Sequence, residues 1–173
     1  MLEKIYLHNK TNSHRYALGS LSTRTLFVFG VNPSTATDKK LDSTVTNVQS
    51  FSKILGFDSF LMLNLSSQRS TNPDKMSYRV NKREQEKNME VISGLIHTNA
   101  TVWAAWGDLI SKRDYLVENY LKICDILAGR EIKWIAYDVL TKKGHPKHPA
   151  RKKLENRFSH FDIARYTDNL INK

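Results

Sequence analysis

Three polar segments of this chain each follow an apolar run, and their side chains could do chemistry. The first is Gly30-Val31-Asn32-Pro33-Ser34-Thr35, after Thr25-Leu26-Phe27-Val28-Phe29. The second begins at Asn64 and reaches Arg69, after Phe60-Leu61-Met62-Leu63. The third is Gly144-His145-Pro146-Lys147-His148-Pro149, after the run from Ile132 to Val139. A side-chain amide accepts and donates at once, a histidine gains or loses its proton near neutrality, and a guanidinium grips oxyanions. The only cysteine, Cys124, can form no internal disulfide, and no Cys-x-x-Cys exists to hold zinc or an iron–sulfur cluster. The chemistry is expected to need no cofactor and no resident metal, or at most a borrowed ion.

The apolar runs predict the elements that position these groups. Leu2–Leu7 and Arg15–Leu18 read as an opening hairpin or edge. Residues 25–29, 60–63, 101–106 and 132–139 read as four buried strands. Helices are expected over Val45–Leu55, Asn81–His97, Leu109–Leu127 and Pro149–Phe158. Strands alternating with helices predict one domain over residues 1–173: a three-layer α/β sandwich around a mostly parallel four-stranded sheet. Ligands of such sheets gather beyond the carboxyl ends of the strands, so the three polar segments are expected to share one rim.

The charge balance points to a polyanionic partner. Lysine and arginine number 27 against 17 acidic residues, a net charge of +10. Between Lys142 and Arg157 there are seven basic residues and one acid, Glu155, which makes a patch rather than a scatter. No apolar run approaches the ~20 residues needed to cross a bilayer, so a cytoplasmic protein without membrane contact is expected.

The order of motifs resembles that of uracil-DNA glycosylases: a strand ending in Gly-x-Asp/Asn-Pro, a strand ending in Leu-Leu-Asn, a Trp-Gly strand and a His-Pro loop. Here these stand as Gly30-Val31-Asn32-Pro33, Leu61-Met62-Leu63-Asn64, Ala105-Trp106-Gly107 and His145-Pro146-Lys147-His148-Pro149. The fuller pattern adds Arg15-Tyr16-x-Leu18, Asn32-Pro33-Ser34-Thr35-Ala36, Asp42-x-Thr44, Asn64-Leu65 and Arg69-x-Thr71-x-Pro73. It more closely resembles an uncharacterised bacterial family whose members often travel on phages and mobile elements.

The resemblance implies a base-extruding DNA-binding protein, with a metal-independent N-glycosylase step if it is active. Gly30, Val31 and Asn64 would hold the base, Asn64 reading its edge; the alternative for Asn64 is a cap on the following turn. Asn32 would position water and His148, or His145, would stabilise the departing base; a plain Asn-Pro turn and a surface histidine are the alternatives. Ser34, Thr35, Arg69, Lys147, Arg151 and Lys152 would contact phosphates, or form a solvated basic face. The partner would be DNA, single- or double-stranded, and an acidic DNA-mimicking inhibitor protein is a second implied partner. A monomer is expected.

The chain departs from the glycosylase pattern. Asn32 replaces the usual Asp, and an amide cannot accept a proton from water at neutral pH. Ser34 replaces the bulky Tyr that excludes the thymine methyl. The phosphate-touching Ser of the His-Pro loop is missing. Narrow excision of a modified or mismatched base, and no excision at all, are therefore both open. Two alternatives stand beside them: a non-enzymatic DNA-binding module of a mobile element, and a nucleotide-binding nucleosidase or transferase using residues 32–35 as a backbone anion nest.

Overall fold

A computed structural model describes residues 2–150 and 152–172. Its strands are β1 (Glu3–His8), β2 (Arg15–Leu21), β3 (Thr25–Gly30), β4 (Ser59–Asn64), β5 (Thr101–Ala104), β6 (Lys133–Tyr137) and β7 (Phe158–His160). Its α-helices are α1 (Ser43–Ile54), α2 (Lys82–Leu95), α3 (Asp114–Leu127) and α4 (Ile163–Ile171).

The sheet has seven strands in the order β1-β2-β4-β3-β5-β6-β7. The expected four-stranded parallel sheet is its centre, β4-β3-β5-β6. Antiparallel strands extend it on both sides, β2 and β1 on one edge and β7 on the other. Every residue of β3 and β4 is buried, as expected of parallel strands covered on both faces. Alternation along β3 divides the core. Leu26 and Val28 pack with Val45, Val48 and Phe51 of α1. Phe27 and Phe29 belong to the second cluster, with Ile92 of α2, Leu116, Tyr120 and Ile123 of α3, and Tyr166 of α4. The result is three layers, with α1 alone on one face.

Two helix expectations are corrected. Residues 109–127 do not form one helix: a 3-10 segment, Gly107–Lys112, ends at the extended Arg113, and α3 then begins at Asp114. The expected helix Pro149–Phe158 is not formed over its described residues. Residues 152–157 are irregular and lead into β7. Phe158 instead packs edge-on against Phe51 and Trp103, and the Asp138 N–H donates to the Arg157 carbonyl. Those contacts hold the segment beside β6, and its crowded lysines gain nothing from a helical turn that would bring like charges together. Among the described residues no helix is long and apolar enough to cross a membrane.

Candidate functional site

β3 and β4 end level with each other, Gly30 opposite Asn64. The pairing runs on into the loops, because Leu65 N–H donates to the Gly30 carbonyl and Ser66 N–H to the Val31 carbonyl. The two loops are then clamped. Arg69 donates to the carbonyls of Ser34 and Ala36, to Asn12 Oδ1 and to the Tyr6 hydroxyl. Ser70 N–H donates to the Pro33 carbonyl, and Asn32 Nδ2 returns a bond to the Ser70 carbonyl at 2.9 Å. Arg69 therefore holds the Asn-Pro loop in shape.

The His-Pro loop is pinned from two sides. Gly107 N–H donates to the Pro146 carbonyl at 2.9 Å, and Asn47 Nδ2 of α1 donates to the Pro149 carbonyl at 3.1 Å. Gly107 has φ +64°, and a Cβ there would stand 3.3 Å from His148 Cβ. The Ala-Trp-Gly motif thus ends in a residue that can both turn left-handed and admit the loop.

These constraints frame a cavity of about 160 Å³, room for about five waters at ~30 Å³ each. It is smaller than the ~300–1,000 Å³ of most ligand pockets and suits one small ring or one anion. Arg15, Asn32, Ser34, Asp42, Thr44, Ser70, Thr71 and His148 give its polar wall, with Gly30, Val45, Met62, Pro73 and Leu109 completing it. A concavity of about 890 Å³ at β7 and α4 is open and is lined by none of Asn32, Asn64 and His148.

The wall carries distinct electrostatics. Arg15 is 1% exposed and makes no ion pair within 4.0 Å among the described residues. Its Nη1 donates to the Ala36 carbonyl, while Nε has no partner. Burial first, and then Arg69, pull its pKa down to about 10 against the pull of Asp42. Asp42 caps α1, with Oδ1 accepting from Val45 N–H at 2.9 Å. Asn32 spends its Nδ2 on backbone carbonyls, which leaves Oδ1 as the side-chain atom with bonding capacity to spare. Ala150 N–H donates to His148 Nδ1, which puts the proton of the neutral ring on Nε2. Burial, then Lys152, lowers the His148 pKa, opposed by Asp42. The neutral ring is the form at pH 7, and Nε2–H is its remaining donor.

The other candidates lie elsewhere. His145 is buried among Ser111, Tyr166 and Thr141, away from the wall. Val31 packs into the core, and Thr35 is exposed. Lys147 is paired with Asp138 at 2.7 Å. Lys152 is half-buried close enough to act on His148. Arg151 falls outside the described residues. Asn64 is 0% exposed and is not part of the wall, and among the described residues neither its Oδ1 nor its Nδ2 has a partner. A Cβ on Gly30 would meet Met62 Cε at 2.8 Å and Asn64 Oδ1 at 3.0 Å. The Met62 methyl and the Asn64 amide therefore crowd the same point behind the wall.

Arg15 was not among the sequence candidates. Its signal was an arginine opening a strand whose next three residues, Tyr16, Ala17 and Leu18, are all buried. Met62 and Leu109 carried no signal, because apolar residues at such positions read as core.

Residues 15–150 match the family described as protein of unknown function DUF1643, and the chain belongs to that family. No curated protein and no solved structure matches the chain.

Proposed function

We propose that this member of the DUF1643 family is a DNA-binding protein of uracil-DNA glycosylase type that takes one extruded base into the 160 Å³ cavity. The observation that carries this reading is the convergence of Arg15, Asn32, Asp42 and His148 on the wall of one small cavity at the ends of the parallel strands. Arg15 and neutral His148 offer donors to a base carbonyl. Asn32 Oδ1 and Asp42 offer acceptors to a ring N–H. A buried guanidinium without a carboxylate partner costs several kcal/mol, which a bound oxygen acceptor offsets. Asn64 adds an edge-reading amide once the flexible Met62 side chain moves aside.

Hydrolysis is a separate step on this wall. Asn32 cannot serve as general base, and Asp42 is the one carboxylate there among the described residues, with Oδ1 already bonded to Val45 N–H. Excision through the other oxygen of Asp42 would be slow and confined to bases with a good leaving group; without it, the protein binds and does not cut. The test uses labelled single- and double-stranded oligonucleotides carrying uracil, hypoxanthine or a T·G mismatch, read for binding and for abasic product. Tighter binding to one modified base, lost in Arg15→Met and His148→Ala, supports the reading. Equal affinity for all bases in every variant overturns it.

One observation favours a second reading, a free-nucleotide enzyme. Arg15 lies beside the amino end of α1, whose Asp42, Thr44 and Val45 line the cavity, and such an end attracts phosphate. Thermal stabilisation by free nucleotides, absent with oligonucleotides, would favour it.

A further inference from the structure

Tyr78 is 83% exposed, the highest figure among the exposed large apolar side chains. An unsupported tyrosine at that exposure would sample several rotamers, but this one lies against a cation. The Arg113 guanidinium carbon is 4.2 Å from the ring centroid. Arg113 is itself fixed: Nη2 donates to the Asp74 carbonyl at 3.2 Å and the Met76 carbonyl at 3.0 Å, and Nη1 donates to the Lys112 carbonyl. The buried Met76 anchors that segment. One face of the Tyr78 ring therefore rests on a held guanidinium, and the exposure belongs to the rest of the ring.

The surroundings are basic. Tyr78 borders a groove of about 530 Å³ with Arg79, Lys82, Lys112 and Arg113, against the acids Asp114 and Glu118. The groove is also tied to the cavity. Pro73 and Leu109 line the cavity. One residue beyond Pro73, Asp74 pairs with Lys112, and Lys112 lies about 6 Å along the 3-10 segment from Leu109 at ~2.0 Å per residue. The 3-10 segment Gly107–Lys112 thus reaches from the cavity to the groove, and Asp74, next to Pro73, is paired with its groove end.

We propose that Tyr78, backed by Arg113, is a stacking platform for one base of single-stranded DNA, with Arg79 and Lys82 contacting the backbone beside it. An exposed aromatic ring flanked by lysine and arginine is how strands are held without sequence preference, because every base has a face to stack. A paired base inside a duplex offers no such face. The position of the platform rests on the cavity reading above: a strand with one base in the cavity leaves its neighbour unstacked, and the ring replaces the lost stacking. The chemistry of the platform does not depend on that reading.

Fluorescence anisotropy with an unmodified labelled single strand tests the proposal on the full chain, with folding checked by circular dichroism. Tyr78→Phe is expected to bind like the parent. Tyr78→Ala is expected to bind about ten-fold more weakly with an unchanged salt slope, and Lys82→Ala to lower the slope by about one. On a strand of abasic residues Tyr78→Ala and the parent should bind alike. Equal binding of Tyr78→Ala and the parent to the normal strand overturns the proposal, as does an equal loss on the abasic strand. Failure of the cavity reading is separable: preference for a modified base would vanish while the Tyr78→Ala effect remained.

Discussion

Arg15 and Arg69 donate to the same atom, the Ala36 carbonyl oxygen, at 3.1 Å. The two guanidiniums do different work there. Arg69 satisfies its nitrogens on Asn12, Ser34 and Tyr6 as well, whereas Arg15 leaves its buried Nε without a partner among the described residues. Arg69→Ala should therefore cost about 2–3 kcal/mol of stability through a broken network of charged hydrogen bonds. Arg15→Met should leave stability unchanged or raise it, since an apolar side chain replaces an unpaired buried charge. Chemical denaturation of both variants checks the contrast, and Arg15→Met should lose base-dependent DNA binding while folded.

His148 sets a pH dependence. Its folded pKa is lowered by burial, so above its ordinary value of about 6.5 the ring is neutral in both states and contributes nothing. As pH falls below about 6.5 the unfolded chain takes up the proton first, and folding stability declines until the lowered folded pKa is reached. Base preference should be flat from pH 8 down through that window and change only where the folded ring itself takes up the proton, at its lowered pKa. In His148→Ala that part of the acid-side loss of stability should disappear; an unchanged acid limb in the variant would contradict the assignment.

His145 supplies the control. It bonds Ser111 and the Tyr166 hydroxyl, so His145→Ala should destabilise the fold by about 1–3 kcal/mol through groups left without partners. Base preference, measured where the variant is still folded, should not change.

Gly107→Ala places a side chain at φ +64° and 3.3 Å from His148 Cβ. The left-handed backbone alone costs about 1–2 kcal/mol. The displaced His-Pro loop should weaken base-dependent binding by an amount comparable to His148→Ala. Thermal melts read together with titrations would show both effects from one methyl group.

Asn64→Val removes two buried polar atoms that have no partner in the fold. A gain of about 1–2 kcal/mol is expected, together with loss of base preference. A stabilised variant that keeps its preference would mean that the amide never meets the ligand.

The parallel centre of the sheet was legible because β3, β4 and β5 are short apolar runs ended by Gly or Asn. The site was partly legible for the same reason: Asn32 and His148 sit where strands run into turns. Strand β7 and α4 were not read. A three-residue strand carries too little periodicity, and the Asp162 cap before Ile163 and Tyr166 was the one clear signal of α4. Pro149, well placed as a first helical residue, suggested a helix over Pro149–Phe158, but Phe158 is drawn to the aromatic cluster of Phe51 and Trp103. Arg15 escaped notice because sequence shows a charge without its burial. Separating the roles of His145 and His148 needed three dimensions, since the same His-Pro dipeptide occurs at both.

Entry of a base into the cavity is read by the fluorescence of 2-aminopurine placed beside a uracil or hypoxanthine in a DNA duplex, titrated with the protein and with Arg15→Met. A rise in fluorescence is expected with the parent protein, as the neighbouring base leaves the stack, and none with Arg15→Met despite continued salt-sensitive binding. Binding by the parent protein without any rise would contradict base entry.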